Sequence, residues 1–337
     1  MGGGLYRQVF IIIMKILFGH KFEEIIGVDN LLEAWREFIK GKRGKKDVQE
    51  FGLKLMDNVF DLHSDLSTFT YKHGGYRAFN IFDPKPRRIH KASVRDRLLH
   101  HAIYRQLYLF FDKTFTADSY SCRLNKGTHR AINRFIAFAY RASENHTKTC
   151  WVLKCDIRKF FDNIEHKILI NILENCISDK KTIWLLKEII SSFSAKQEST
   201  GLPLGNLTSQ LFVNIYMNEF DKFMKHKIKA KYYIRYADDF VILSDDRAHL
   251  SNLVRPIKKF LQENLKLELH PKKISISTIA SGIGFLGWVS FPDYRILRTK
   301  TKQRMFKKLN DKNLQSYLGV LRHGNGYKLK MRILNML

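Results

Sequence analysis

The spacing of apolar and polar positions divides the chain into a helical opening, a strand-bearing middle and a basic helical end. Residues 29–39, DNLLEAWREFI, place apolar groups at 31, 32, 35, 38 and 39, the spacing of an amphipathic helix begun by an Asp or Asn cap. A basic linker, KGKRGKK, occupies 40–46, and a second helical pattern covers about 47–66. Residues 76–82 and 87–91 are extended runs joined by the turn Asp83-Pro84-Lys85-Pro86, which predicts a basic β-hairpin. A long helix is expected over 94–111. Further along, 151–157 reads as a short apolar strand, and 232–236 and 240–243 as two more, separated by Ala237-Asp238-Asp239. A helix over about 207–226 aligns Phe212, Ile215, Tyr216, Phe220 and Phe223 on one face. Strands and helices mix without regular βαβ alternation, so the expected class is α+β. No internal repeat interrupts this pattern.

Composition adds a partner to this picture. With 337 residues and 45% hydrophobic content the chain can bury a large core, as two domains or one multi-lobed unit. Its 59 Lys and Arg against 32 Asp and Glu leave a net charge of +27, which points to a polyanion. Nucleic acid is favoured over an anionic membrane surface or a merely solvated basic face. Between 298 and 332 eleven basic residues face a single acid, Asp311, so the chain should end in a basic helical lobe. The four cysteines form no C-x-x-C pair and lie near no His ladder, which argues against zinc or a disulfide framework and favours a cytoplasmic location. The apolar run VFIIIMKILF at 9–18 is too short to span a bilayer and contains Lys15, so no membrane association is expected. Met14 opens a plausible start of its own, and residues 1–13 read as an over-extended gene start.

Candidate chemistry centres on acids. Asp238 and Asp239 sit side by side between two apolar strands, where burial without a compensating cation costs several kcal/mol. Asp is also a common turn residue, so the pair taken alone is better explained by a solvated turn, and only its apolar flanks and the rest of the motif series argue otherwise. In a tight turn over 236–239, however, both acids would project from a hairpin tip toward a hard divalent cation. Magnesium takes one or two carboxylates and completes its shell with phosphate and water, so a two-metal site needs a further acid. Asp156, ending the strand at 151–157, is the candidate, with the carbonyl of Ile157 as an added oxygen ligand; Asp162 falls near a helix start.

At these residues the sequence resembles the reverse transcriptases, and among them the bacterial enzymes of group II introns, retrons and diversity-generating retroelements. The resemblance spans roughly residues 31–326. Tyr236-Ala237-Asp238-Asp239 is similar to the family's Y-x-D-D box, and DIRKFFDNI from Asp156 to its first palm motif, about eighty residues earlier. GLPLGNLTSQ at 201–210 resembles the G-x-P-x-G-x-x-x-S motif, and its Ser-Gln ending is closest to the diversity-generating enzymes. HPKK at 270–273 and GFLGW at 284–288 resemble later palm motifs, the second being the primer-gripping turn. Arg87-Arg88, Asp96-Arg97 and SCRLNKG at 121–127 resemble fingers motifs, and LQSYLG at 314–319 the thumb.

The resemblance implies a right-hand polymerase: a helical extension at 1–66, fingers at 67–150, an antiparallel-sheet palm at 151–290 with a helical insertion at about 165–200, and a short helical thumb at 291–337. It implies an RNA-directed DNA polymerase that adds dNTPs to a primer 3′-hydroxyl. Asp156, Asp238 and Asp239 would be catalytic and, with Ile157, would hold two Mg²⁺ ions, for which Mn²⁺ can substitute. Phe161 would lie beneath the sugar and exclude a 2′-hydroxyl. Arg123, Lys91 and Arg87 would contact the triphosphate, and Gln210 and Tyr236 the nucleotide. Gly201, Pro203 and Gly205 would approach the template, and Gly284, Phe285, Leu286 and Gly287 the primer. Implied partners are an RNA template, a DNA or RNA primer and dNTPs, joined by a cognate non-coding RNA and a small accessory protein. Two other readings share this fold: a template-independent nucleotidyltransferase acting in defence, and a non-catalytic, maturase-like RNA-binding protein. The second predicts eroded acids, whereas all three are present.

Overall fold

A computed structural model of the protein describes residues 17–82, 86–195 and 198–335. The run at 9–16, the proposed start at Met14 and the turn residues 83–85 lie outside the described residues. Four helices come first, α1 (Phe22–Ile26), α2 (Val28–Phe38), α3 (Lys46–Leu53) and α4 (Leu55–Ser67), followed by the antiparallel hairpin β1 (Arg77–Ile81) and β2 (Arg87–Lys91). Next are α5 (Val94–Thr114), α6 (Thr128–Ala142), β3 (Trp151–Asp156), α7 (His166–Glu174), α8 (Lys180–Ser191) and α9 (Leu207–Lys222). The hairpin β4 (Tyr232–Tyr236) and β5 (Asp239–Ser244), α10 (Arg247–Leu265) and β6 (Ser275–Thr278) complete the middle. A small sheet of β7 (Ile283–Phe285), β8 (Trp288–Ser290) and β9 (Arg295–Leu297) leads to α11 (Thr299–Lys308), α12 (Asp311–Leu321) and α13 (Tyr327–Leu334).

The α+β expectation is met, with local departures. The helical pattern at 47–66 breaks into α3 and α4 at Lys54, where the Asn58 amide donates to the Phe51 carbonyl that the break leaves open (3.0 Å). The helix expected to reach 226 ends as regular α-helix at Lys222 and widens into a π-helical turn over Phe223–Lys227.

The central sheet runs β4-β5-β3-β6, each neighbouring pair antiparallel. Because side chains alternate between faces, Leu153, Cys155, Tyr233, Phe240 and Ile242 enter the large core formed with α5, α9 and α10. Val152, Ile234, Val241 and Leu243 pack on the other face with Phe135 and Phe138 of α6. The last helices form their own small core, in which Met305, Leu321 and Ile333 meet Trp288, Leu297 and Ile132. Among the described residues no helix is long and apolar enough to cross a membrane.

Candidate active site

The sheet delivers the three acids to one place. Tyr236 and Asp239 are register partners, so only Ala237 and Asp238 form the connection between β4 and β5. Ala237 has φ +55°, a left-handed conformation that costs an L-residue about 1–2 kcal/mol. Beneath the turn, Arg235 is fully buried. Its Nη1 donates to the Ala237 carbonyl (3.1 Å) and its Nη2 to Ser119 Oγ (3.0 Å). The guanidinium grips Asp221 of α9 with two parallel bonds, Nε to Oδ1 at 2.8 Å and Nη2 to Oδ2 at 2.7 Å. Tyr233, on the same strand face, donates to Asp221 Oδ1 (2.7 Å). Burial opposes the Arg235 charge, but the Asp221 carboxylate outweighs it and holds the guanidinium above its ordinary pKa.

β3 lies beside β5 with Asp156 directly opposite Asp239. The Ile157 amide donates to the Asp238 carbonyl (3.2 Å), and the His270 amide to the Asp156 carbonyl (2.8 Å), so the end of β3 is fastened on both sides. Lys273, at the end of the 3-10 turn Pro271–Lys273, puts its ammonium 2.8 Å from both Asp156 oxygens. Asp238 is pushed up to about 6 by burial, and then by the neighbouring Asp239 and Asp156 charges. Among the described residues no group of three or more His, Cys, Asp or Glu side chains is gathered closely enough to hold a metal ion by itself. The acids offer oxygen ligands only, and such a donor set suits Mg²⁺, which needs few protein ligands and completes its shell with phosphate and water.

Several of the predicted substrate residues are tied to one another by backbone contacts. Phe160 is core and Phe161 only partly buried, with ring centroids 5.6 Å apart. The Leu202 amide donates to the Phe161 carbonyl and the Gly201 amide to the Ile164 carbonyl, both at 2.8 Å, binding the glycine loop to this segment. Gly201 has φ +92°, and a Cβ there would lie 2.6 Å from the Ala195 methyl. At the loop's other end the His90 amide donates to the Leu204 carbonyl, and the Asn206 amide to the His90 carbonyl, both at 2.9 Å. Gly205 meets Ile89 so closely that a Cβ would lie 2.7 Å from it. Pro203 is buried between these contacts, and Gln210 is half-buried on the first turn of α9. The Tyr236 hydroxyl accepts a hydrogen bond from Thr128 at the start of α6 (3.3 Å). The turn after β7 carries Leu286 at φ +47° and Gly287 at φ +88°.

Three expectations need correction. Arg123, expected at the triphosphate, has a side chain only 6% exposed. It is spent on Asp112 Oδ1 (2.7 Å) and on the carbonyls of Asp112, Thr116 and Ser119, so it staples its own loop. Lys91 is bound to Asp47 (2.7 Å), a carboxylate shared with Arg97, while Arg87 stays exposed on β2. Phe285 buries its ring beside Phe135 (5.8 Å) and supports its turn from inside rather than facing the primer.

Sequence reasoning missed the Arg235–Asp221 grip and the bond from Lys154 Nζ to the Gly284 carbonyl (2.7 Å). Both had a signal: a charged residue inside an apolar strand demands a buried partner. It also missed a buried chain in which Thr208 contacts His100 Nδ1 (3.1 Å) and His100 Nε2 contacts His73 Nε2 (3.1 Å).

An antiparallel sheet carrying its acids on a hairpin and the strand beside it, with a basic hairpin and a terminal helical lobe, is the architecture of a nucleic-acid polymerase. A solved structure of telomerase from Candida albicans, in complex with a fragment of telomeric RNA, shares the fold with a TM-score of 0.51 and 12% identity, over 75% of this chain and 51% of that one. The family model "Reverse transcriptase (RNA-dependent DNA polymerase)" matches residues 78–290, and the chain belongs to that family. Protein YkfC of Escherichia coli K12 is 26% identical over 249 residues, 62% of this chain and 63% of YkfC. The group II intron-encoded protein LtrA of Lactococcus lactis is 23% identical over 282 residues, 64% of this chain and 45% of LtrA. The chain thus spans less than two thirds of the length of the relatives it matches.

Proposed function

We propose that the protein is an RNA-directed DNA polymerase of a bacterial retroelement, extending a primer 3′-hydroxyl with dNTPs on an RNA template. One observation carries the reading: Asp156 at the end of β3 meets Asp238 and Asp239 at the β4–β5 turn, and burial, joined by the neighbouring Asp239 and Asp156 charges, pushes Asp238 up to about 6. Carboxylates so arranged bind a divalent cation readily, because the cation relieves the repulsion. Asp156 and Asp238, with Asp239 and the Ile157 carbonyl, would hold two Mg²⁺ ions, or Mn²⁺ in their place. Bound there, the ions supply activation of the primer hydroxyl and neutralisation of triphosphate charge.

The chain's own residues then bind and orient. Phe161 lies beneath the incoming sugar and rejects a 2′-hydroxyl; Gln210 and the loop 201–205 contact the templating pair; Tyr236 flanks the nucleotide; and Arg87, reaching from β2, meets the phosphates. The backbone of 284–287 holds the primer end. Basic residues of the terminal lobe, Arg322 apart, follow the duplex phosphates, so binding falls steeply with salt. This assigns 67–150 to fingers, 151–290 to palm and 291–337 to thumb, with 1–66 as a helical extension. A cytoplasmic setting, a cognate non-coding RNA and a small accessory protein belong to the same reading, which the likeness to an intron-encoded protein supports. Primer extension on poly(rA)/oligo(dT) with Mg²⁺ tests it. Wild type is expected to synthesise DNA and Asp238→Ala to be inactive; absence of synthesis by wild type on any RNA template refutes the proposal.

A further inference from the structure

We propose that a second site, remote from the catalytic turn, binds an unpaired nucleotide of an RNA strand in the cavity between α6, the β8–β9 turn and the α12–α13 connection. This goes beyond the polymerase reading and does not depend on catalysis. The cavity has a volume of about 790 Å³, and its lining includes Tyr140, His146, Tyr294, Arg295, Arg322 and Asn325.

Arg295 defines the chemistry. Its side chain is held in the wall by neutral groups only: Nε donates to the His323 carbonyl, Nη1 donates to Asn133 Oδ1 (2.8 Å), and the guanidinium lies over the Trp288 ring at 5.4 Å. No carboxylate among the described residues pairs with it, and the acid on the rim, Asp293, is exposed. Burial alone holds the Arg295 pKa below its ordinary value, with no neighbouring anion to oppose it. A partly buried cation lacking a counter-charge is costly to the free protein and gains most from an anion. A guanidinium fork fits phosphate, and Arg322 adds a second charge on the same wall.

The aromatic lining selects what the phosphate belongs to. Tyr140 is 46% exposed and Tyr294 is 44% exposed, yet each is braced by another ring. Tyr294 stacks on Phe291 at 4.6 Å, and Tyr140 meets His146 edge-on at 5.2 Å. Braced, exposed rings beside guanidinium groups form a platform for unstacked bases. The site lies apart from the catalytic turn. Thr128, at the start of α6, touches Tyr236, whereas Tyr140 is near the helix end, about 18 Å farther along at 1.5 Å per residue. The β8–β9 turn also lies at the opposite end of β8 from the turn at 284–287.

The test is fluorescence anisotropy with a fluorescein-labelled, unstructured oligouridine of about ten nucleotides. An excess of unlabelled blunt RNA/DNA hybrid is present to fill the polymerase cleft. Wild type is expected to bind the oligouridine under these conditions, and ultraviolet cross-links should fall on peptides containing Tyr140 or Tyr294. The double variant Tyr140→Ala/Tyr294→Ala should weaken binding roughly tenfold, from the loss of base stacking, while extension of poly(rA)/oligo(dT) stays at the wild-type rate. Arg295→Gln should weaken binding and flatten its salt dependence. Affinity of the tyrosine variant within about twofold of wild type, or cross-links confined to peptides outside the cavity, overturns the inference. If wild type shows no extension but the tyrosine variant loses oligouridine binding, the polymerase reading falls and this one stands.

Discussion

Removing the Asp221 carboxylate should separate the stability of the fold from the positioning of the turn that carries Asp238 and Asp239. In Asp221→Ala, Arg235 is left fully buried with no counter-charge, because its remaining partners, the Ala237 carbonyl, Ser119 and Asn214, are neutral. Stranding one member of a buried ion pair costs about 3–5 kcal/mol. Unfolding entropy of about 2.1 cal/mol/K per residue gives roughly 0.7 kcal/mol/K over 337 residues. The expected fall in Tm is therefore about 4–7 °C, readable by differential scanning calorimetry. Primer extension should fall as well, since a guanidinium seeking water abandons the Ala237 carbonyl, and a turn displaced by about 1 Å can lose 100-fold in rate.

The double variant Asp221→Leu/Arg235→Met, made in a Tyr233→Phe background that removes the hydroxyl donating to Asp221, is the sharper experiment. Replacing both charges by apolar groups of similar volume is commonly neutral or stabilising, so Tm should return to within about 2 °C of wild type. Nothing then donates to the Ala237 carbonyl, and Ala237 keeps its left-handed φ of +55° without that support. Extension should stay at least about tenfold below wild type. If the double variant recovers both Tm and rate, Arg235 is not a positioning residue. If Asp221→Ala melts at the wild-type temperature, the buried-pair energetics are wrong.

Two further outcomes follow from the same site. Phe161→Ala or Phe161→Val should raise rNTP incorporation relative to dNTP in primer extension, and an unchanged ratio rejects contact with the sugar. Asp238, held at about 6 against an ordinary 3.8, binds its proton more tightly folded than unfolded. That contribution to stability is fully present below the ordinary pKa and is lost as pH rises through about 6. In EDTA the Tm of wild type should therefore rise as pH is lowered from about 7 to about 5, relative to Asp238→Asn. Parallel curves for the two proteins would show that burial and the neighbouring carboxylates do not raise Asp238.

The acids were legible in the sequence because their chemistry is local. Two carboxylates between apolar strands, with Asp156 ending a third, marked a candidate cluster, and strand pairing sets Asp156 opposite Asp239. The glycine loop was legible for a similar reason, since Gly201 and Gly205 stand where φ is positive and a Cβ has no room. Arg123 misled because sequence spacing shows where a guanidinium lies along the chain and not which acceptors surround it. Asp112 and the carbonyls of Thr116 and Ser119 become its neighbours only when the end of α5 folds over the loop. Phe285 misled because a motif resemblance places its backbone at the primer and says nothing about which way its ring turns.

β3 explains why these features act together. Its alternation sends Leu153 and Cys155 into the large core, fixing the strand, while Lys154 and Asp156 share the opposite face. Asp156 stands opposite Asp239 and is gripped by Lys273. Lys154, two positions back, reaches across to the Gly284 carbonyl and ties down the turn that follows β7. The strand continues into Ile157, whose amide holds the Asp238 carbonyl, and then into Phe161, whose carbonyl holds the glycine loop. A single segment therefore sets the spacing among Asp156, Asp239, the Phe161 ring and the turn at 284–287. Catalysis by positioning tolerates displacements of well under 1 Å, and a common strand gives that precision without requiring each loop to be rigid by itself.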